Sequence, residues 1–139
     1  MRTAALMIAA FLLAACAGQD TERQQAVDEA VQAVRDFIEV RGLEEVAKMP
    51  SASRDSWESI ENYFLIYEGR RETFLVEFNR RCYELDDNTR IVADERREAG
   101  IVRSRFDTIR GCRIHRLYAL SEDEAEELRN LGEAPGERN

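Results

Sequence analysis

Three features of the sequence predict an α+β fold, with an N-terminal amphipathic helix, about five mostly antiparallel strands and a C-terminal helix. Apolar residues recur at helical spacing from Val27 to Ile38. Short segments rich in aromatic and β-branched residues, separated by turns that contain glycine, fill the middle of the chain. A helix-capping sequence begins at Ser121. The 139 residues are enough for one domain with a modest core.

Residues 1–15 predict a secretory signal peptide. Arg2 precedes a short apolar run that ends in small residues, and the run is too short to span a bilayer. Cleavage by an ordinary signal peptidase is one alternative, since Ala15-Cys16-Ala17 fits an A-x-A site. Cleavage there, after Ala17, would release a soluble protein.

The other alternative gives Cys16 a specific role. Residues 13–16 read Leu-Ala-Ala-Cys and resemble the lipobox of bacterial lipoproteins. That resemblance implies that Cys16 is acylated and becomes the new N-terminus, so that its acyl chains hold the protein to a membrane. Asp at the next position would imply retention in the inner membrane. Ala17 stands there instead, so we expect the outer membrane, facing the periplasm.

The N-terminal helix is predicted from its apolar stripe and its end signal. Charged residues cover the opposite side, which is typical of a helix that packs on its own domain. Gly42 is expected to end or kink the helix. The stripe is too short for a coiled coil, and it consists of Val27, Val31, Val34 and Ile38, with Ala30 and Phe37 beside them.

Changes in composition predict the organisation of the chain. Residues 16–23 are polar and are expected to form a lipidated tether. Residues 24–53 are expected to form a helical arm and linker, with a second helical piece from Leu43 to Lys48 and a break at Met49-Pro50. Residues 54–132 would then form the α+β domain, and residues 133–139 a disordered tail.

Alternating apolar and polar residues predict five strands, over residues 61–67, 73–78, 90–94, 101–109 and 112–120. The first two form a hairpin with a turn at Gly69, and Gly111 supplies a later turn. In the second strand Phe74, Val76 and Phe78 share one face, and Thr73 and Glu77 lie on the other. Core packing is expected for the aromatic group Trp57, Tyr63, Phe64 and Tyr67; joint exposure of the group would instead mark a binding patch.

The C-terminal helix is predicted from its cap. Ser121 at the N-cap and Glu124 three residues later form a capping box. Acidic residues in the first turn suit the positive end of the helix dipole, and Gly132 is expected to end the helix.

The cysteine count predicts one disulfide. If Cys16 carries lipid, Cys82 and Cys112 remain as an even pair in an oxidising compartment. Two buried free thiols are the alternative. A catalytic dithiol is not expected, because the chain has no C-x-x-C sequence.

The charge pattern argues against nucleic acid as a partner. The net charge is −8, and residues 54–120 carry 13 charges of each sign, so no basic face dominates. The excess of acid lies in the flanking segments. Contact with a membrane is therefore expected through the lipid anchor and not through charge.

The sequence contains few candidate catalytic or ligand-binding residues. His115 is the single histidine, and Asp107 on the neighbouring predicted strand is its conceivable partner in acid–base catalysis. The other candidate is a basic face on adjacent predicted strands, which consists of Arg103, Arg105, Arg113 and His115. This face could bind an anion. Alternatively, it is a solvated surface whose charges are paired with Asp107, Glu77 or Glu61. No metal site and no cofactor are predicted.

The middle of the chain resembles a family of small proteobacterial lipoproteins with a domain of unknown function. The shared elements are the apolar hairpin, Cys82-x-x-Leu85, Phe106-Asp107-x-Ile109 and Cys112-x-Ile114. Members often carry another cysteine just before Phe-Asp, where this chain has Arg103-Ser104-Arg105, and that departure leaves Cys82 to pair with Cys112. The resemblance implies no activity.

The sequence therefore favours a non-enzymatic envelope lipoprotein that binds or scaffolds a protein partner. A small periplasmic hydrolase or transferase that uses Asp107 and His115 is the first alternative. A ligand-binding module that uses the arginine-bearing strand face is the second.

Overall fold

The computed structural model describes residues 4–51, 56–85 and 100–132, with side chains from Gln19 onwards. Helix α1 spans Ala4–Arg41, helix α2 spans Glu122–Gly132, and a 3-10 turn spans Tyr83–Leu85. The strands are β1 (Glu45–Val46), β2 (Lys48–Pro50), β3 (Ser56–Ile60), β4 (Phe64–Glu68), β5 (Thr73–Phe78), β6 (Ile101–Arg103), β7 (Thr108–Ile109) and β8 (Cys112–Leu120).

The strands form a mostly antiparallel sheet with two helices, which confirms the α+β fold. The order in the main sheet is β1-β8-β5-β4-β3, and β7 also pairs with β8. Strands β2 and β6 pair with each other in a separate two-stranded sheet. The predicted third strand over residues 90–94 and the predicted tail over residues 133–139 lie outside the described residues.

Buried side chains form a separate core on each face of the main sheet. On the helix face, α1 and α2 contribute Val27, Val31, Val34, Phe37, Ala125 and Leu128, which pack on Ile60, Phe64, Ile66, Leu75 and Tyr118. On the disulfide face, Met49, Cys82, Leu85, Val102, Ile109 and Cys112 pack on Leu65, Tyr67, Phe74, Val76, Phe78, Ile114 and Leu117. The alternation in β5 is as predicted, since Phe74, Val76 and Phe78 share the disulfide face.

The first helix is longer than its apolar stripe predicts. It is helical from Ala4, so the predicted tether over residues 16–23 is part of the helix. Ala and Leu, which are strong helix formers, are frequent before Cys16, and no proline lies between Ala4 and Arg41. The end is as predicted: Gly42 has φ +60°, and the amides of Gly42 and Leu43 donate to the carbonyls of Glu39 and Ile38 in a Schellman motif.

The segment after Gly42 corrects two expectations. Leu43 to Lys48 is not helical, because β1 pairs with β8 and Lys48 begins β2. Residues 24–53 are also not a separate arm, since α1 supplies four of the eleven buried residues of the helix-face core and Met49 is 1% exposed on the other face. The apolar side chains of this segment are buried against the sheet, so it belongs to the domain.

A strand before the first predicted one escaped the sequence pattern. Strand β3 pairs with β4 across a tight turn in which Glu61 and Asn62 have φ of +50° and +60°. Glu-Asn is not the usual Asn-Gly signature of such a turn, so this stretch reads as strand in the sequence. The turn is fixed by Ser59, whose Oγ donates to Asn62 Oδ1 at 2.7 Å and accepts from the backbone amide of Asn62.

The aromatic group before and within the hairpin is packed, as expected. Phe64 and Tyr67 are buried, and Trp57 and Tyr63 are half-buried against the two cores. The group therefore does not form an exposed patch.

The predicted strand over residues 101–109 is two short strands. Arg105 has φ +66°, and the chain turns over residues 104–106 between β6 and β7. The apparent alternation therefore breaks, and Phe106 is 63% exposed. The following turn is as predicted, since Arg110 and Gly111 have positive φ and join β7 to β8.

Two further predictions hold in the structure. A disulfide joins Cys82 to Cys112, with the Cα atoms 5.8 Å apart and both residues fully buried. At the start of α2, the amide and hydroxyl of Ser121 donate to Glu124 Oε2 at 2.8 and 2.9 Å, and Ser121 Oγ accepts from the Glu124 amide. In the part of the chain that the structure describes, no helix has an apolar stretch long enough to cross a membrane.

Candidate functional site

The turn between β6 and β7 and the start of β8 carry the predicted basic face. Arg105 Nη2 lies 3.2 Å from Glu45 Oε1 in an ion pair, and Arg113 Nη1 donates to the Arg105 carbonyl at 3.4 Å. The structure thus brings Arg105 and Arg113 together, but the charge of Arg105 is compensated by Glu45. The sequence had suggested Asp107, Glu77 or Glu61 as the compensating acids.

Asp107 has a structural role in this turn. It is 2% exposed, and its Oδ2 accepts from the backbone amide of Arg103 at 2.7 Å. Its own amide donates to the Arg103 carbonyl, so side chain and backbone together close the turn. Within the described residues Asp107 has no hydrogen bond to His115, which is half-buried on β8. The acid–base pair considered from the sequence is therefore not formed.

A cleft that the sequence did not indicate opens between the end of α1 and the main sheet. It has a volume of about 470 Å³, and we call it the Glu77 cleft. Its walls come from α1 and the connection to β1, and its floor from β5 and β8. The lining residues are Arg35, Ile38, Glu39, Leu43, Glu45, Glu77, Arg116 and Tyr118.

An irregularity in β8 places the floor of this cleft. The register between β5 and β8 pairs Glu77 with Arg116 but Phe78 with Ile114, so His115 is an extra residue. Such a bulge reverses the alternation of side chains along the strand. Ile114 and Leu117 therefore both face the disulfide core, while Tyr118 faces the helices.

Polar groups form a chain from the floor of the cleft to its rim. Tyr118 Oη donates to Glu77 Oε2 at 3.5 Å, and Arg116 Nη1 donates to Tyr118 Oη at 3.4 Å. Arg116 Nε lies 3.9 Å from Glu45 Oε2, and Glu45 also pairs with Arg105. Glu77 and Tyr118 are 8% and 4% exposed, so the inner end of this series of polar contacts is shielded from water.

These contacts shift two pKa values. Burial raises the pKa of Tyr118, and the nearby charge of Glu77 adds to the effect. The hydrogen bond to Tyr118 raises the pKa of Arg116 above its already high ordinary value. At neutral pH the cleft therefore contains a neutral phenol and a charged guanidinium.

The disulfide lies beside a carboxylate. Glu84 Oε2 is 3.1 Å from Cys112 Sγ, and the ligand atoms of Cys82, Glu84 and Cys112 all lie within 4.8 Å of one another. Metals bind cysteine as the thiolate, so two sulfurs joined in a disulfide do not form such a site. The backbone amide of Glu84 and then Arg80 lower the pKa of the Glu84 carboxyl, which keeps it ionised.

Cys16 lies within helix α1, but its side chain is outside the described part of the structure. Its lipidation stays a prediction from the sequence.

Comparison with known proteins identifies the family but no activity. The family model described as a family of unknown function, DUF6491, matches residues 1–134, almost the whole chain. The chain belongs to this family. No curated protein and no solved structure matches it. Function must therefore be argued from the residues of this DUF6491 protein itself.

Proposed function

We propose that this DUF6491 protein is an envelope lipoprotein, held to the membrane by lipid on Cys16, and that it acts as a non-enzymatic binding module. The observation that carries the anchor is Leu-Ala-Ala-Cys at residues 13–16, at the end of a short apolar run. A cysteine thiol is suited to acylation because its thiolate is a strong nucleophile. Two or more acyl chains then hold a protein stably on a bilayer.

The buried disulfide supports a location outside the cytoplasm. Disulfides persist in oxidising compartments and are rare where thiols are kept reduced. Cys82 and Cys112 are 0% exposed and join β8 to the segment after β5, so the bond forms part of the core. Ala17 after the lipidated cysteine favours the outer membrane, facing the periplasm.

The continuous first helix gives the anchor a defined geometry. Val27, the first buried residue of the helix-face core, lies eleven positions after Cys16, a span of about 16 Å as α-helix. Residues 19–26 are all exposed in this stretch. The proposed lipid would therefore be joined to the domain by a helical spacer, with the folded body held off the bilayer surface.

Binding is favoured over catalysis by how the polar groups are used. The carboxylate of Asp107 accepts from a backbone amide and is not directed to His115. The Glu77 cleft, by contrast, presents buried polar groups inside an open cavity of a size that accepts small ligands. An envelope protein partner remains part of the proposal.

The anchor is tested by two variants next to each other. Membrane fractionation and the intact mass of the N-terminal peptide should show the wild-type chain beginning at an acylated Cys16. Cys16→Ser should leave the membrane fraction or remain uncleaved. Ala17→Gln is the control, because it removes the A-x-A site but keeps the lipobox, and it should stay in the membrane. A wild-type chain that begins at Gly18 without lipid would contradict the proposal.

The partner is tested separately in intact envelopes. Crosslinkers of several lengths should give a discrete product larger than the protein alone, and the product should be lost when Cys16→Ser removes the protein from the membrane. Recovery of the monomer alone with every crosslinker would contradict binding to an envelope protein.

A further inference from the structure

We propose that the Glu77 cleft binds an organic primary ammonium, with the charged nitrogen on the Glu77 carboxylate and an alkyl stem against Ile38 and Leu43. This inference names a ligand class for the binding module. It does not depend on the lipid anchor, since the cleft lies in the folded body of the domain.

The buried carboxylate of Glu77 accepts fewer hydrogen bonds than it could. An ionised carboxylate offers about four acceptor positions. Within the described part of the chain Glu77 receives one hydrogen bond, from Tyr118 at the long distance of 3.5 Å. Since Glu77 is 8% exposed, water reaches it only through the cleft. A buried carboxylate in this state favours a ligand that brings several donors and a positive charge.

The position of the buried carboxylate disfavours an anion. Of the two arginines in the lining, Arg116 donates to Tyr118 and lies near both Glu77 and Glu45, while Arg35 belongs to the wall and not to the floor. Glu45 is paired with Arg105, so the other charges of the lining balance, and Glu77 is the acid on the floor. An anionic group that reached the floor would meet the buried Glu77 charge.

The side chains of the cleft suit an organic cation better than a metal ion. Hard cations such as Ca²⁺ require six or more oxygen ligands. Glu45, one of the two other carboxylates in the lining, is already paired with Arg105 at 3.2 Å. Among the described residues, the one cluster of three potential ligand side chains lies at the disulfide and does not include Glu77.

The wall of the cleft offers apolar surface for the stem of the ligand. Ile38 and Leu43 are half-buried apolar side chains on the cleft wall, and both pack against the helix-face core. A short alkyl chain would cover their exposed parts and gain hydrophobic free energy. A linear amine of about four carbons places its nitrogen on the floor and its stem between these walls.

The test uses the mature chain in non-ionic micelles, with butylammonium chloride as the probe. 1-Butanol and sodium butyrate are the neutral and anionic probes of the same length. Calorimetry and amide chemical shifts should show saturable binding of butylammonium with a Kd of the order of 1 mM, a value suited to a ligand of five heavy atoms. The largest shifts should fall in β5, β8 and the end of α1.

Three variants make the test specific. Glu77→Gln keeps the shape of the side chain and should weaken butylammonium at least tenfold. Glu126→Gln makes the same charge change on the exposed face of α2 and should leave binding unchanged. Leu43→Trp should abolish binding by filling the cleft. If Glu77→Gln fails to fold, the three probes on the wild-type chain still show whether binding requires the positive charge, and Leu43→Trp shows whether it occurs in the Glu77 cleft.

Two results would overturn the inference: equal affinity for butylammonium and 1-butanol, or unchanged affinity in Glu77→Gln. The failure of the anchor is a different result, because it appears in membrane fractionation and leaves the binding of butylammonium intact.

Discussion

The two faces of the main sheet are covered by different kinds of structure. On the helix face, two regular helices place Val34 and Leu128 at 0% exposure, and the helices contact each other as well as the sheet. On the disulfide face, strands of two or three residues, a 3-10 turn and one covalent bond cover the same sheet. A helix makes its backbone hydrogen bonds within itself, whereas a strand makes them with a partner strand. We therefore expect the disulfide face to rely on its crosslink and on single polar contacts.

The largest expected effect is loss of the crosslink. Cys82→Ser with Cys112→Ser opens a loop whose ends are 30 residues apart, which should lower the free energy of unfolding by about 3 to 4 kcal/mol on chain-entropy arithmetic. Denaturant unfolding measures it, and amide exchange should quicken first in β2, β6 and β7. Reduction of the wild-type chain should reproduce the loss, and a reductant should not affect the double variant. A loss below about 1 kcal/mol would show that the short strands hold this face without the bond.

The helix face should respond to a cavity. Leu128→Ala removes a fully buried side chain and should cost about 3 kcal/mol in unfolding free energy, because the rigid sheet below cannot fill the space. Leu131→Ala is the control on the same helix, since Leu131 is 37% exposed and should cost well under half as much. Similar losses at the two positions would contradict a packed core under α2.

A single polar contact should matter on the disulfide face. Asp107→Ala leaves the Arg103 amide without its acceptor at 2.7 Å and should cost about 1 to 2 kcal/mol in unfolding free energy. Asp107→Asn keeps an acceptor oxygen and should lose less. If both variants unfold alike, the negative charge matters more than the hydrogen bond that closes the turn.

The smallest expected effect is the pH response of the α2 cap. The Ser121 amide, then its hydroxyl, lower the pKa of Glu124 below its ordinary value of 4.5. A lowered carboxyl pKa stabilises the folded state at pH above 4.5, and this contribution is lost as pH falls through the folded-state pKa. Glu124→Gln should therefore be less stable than wild type by about 0.5 kcal/mol at pH 7, with the gap closing below pH 4.5. Glu126→Gln is the charge control on the same helix, and in denaturant unfolding at pH 7 it should lose less stability than Glu124→Gln, because Ser121 donates to Glu124.

The same contrast explains which elements the sequence predicted. The apolar stripe of α1, the end at Gly42, the Ser121 cap and the Gly111 turn are local patterns, and all appear in the structure. The errors fall where neighbours override local preference. The Glu61-Asn62 turn was read as part of a strand, and residues 101–109 were read as one strand although Arg105 turns the chain.

The candidate site shows the limit more clearly. The arginine-bearing face was predicted from alternation on two adjacent strands, and the turn at residues 104–106 removes that alternation in the first of them. The Glu77 cleft depends on the extra residue His115 in β8, which brings Arg116 opposite Glu77. A bulge arises from the pairing of two strands that are far apart in the sequence, so no local pattern marks it.

By itself the sequence predicted the α+β class, the capped C-terminal helix and, on the condition that Cys16 carries lipid, the pairing of Cys82 with Cys112, because periodicity, caps and cysteine number are properties of the chain alone. It also supplies the lipobox, on which the proposed anchor rests. Only the tertiary structure showed which sheet residues α1 packs on, that Asp107 closes a turn, and that Glu77 lies at the floor of a cleft. Those three features depend on contacts between segments far apart in the chain, and such contacts exist only once the sheet and helices have packed.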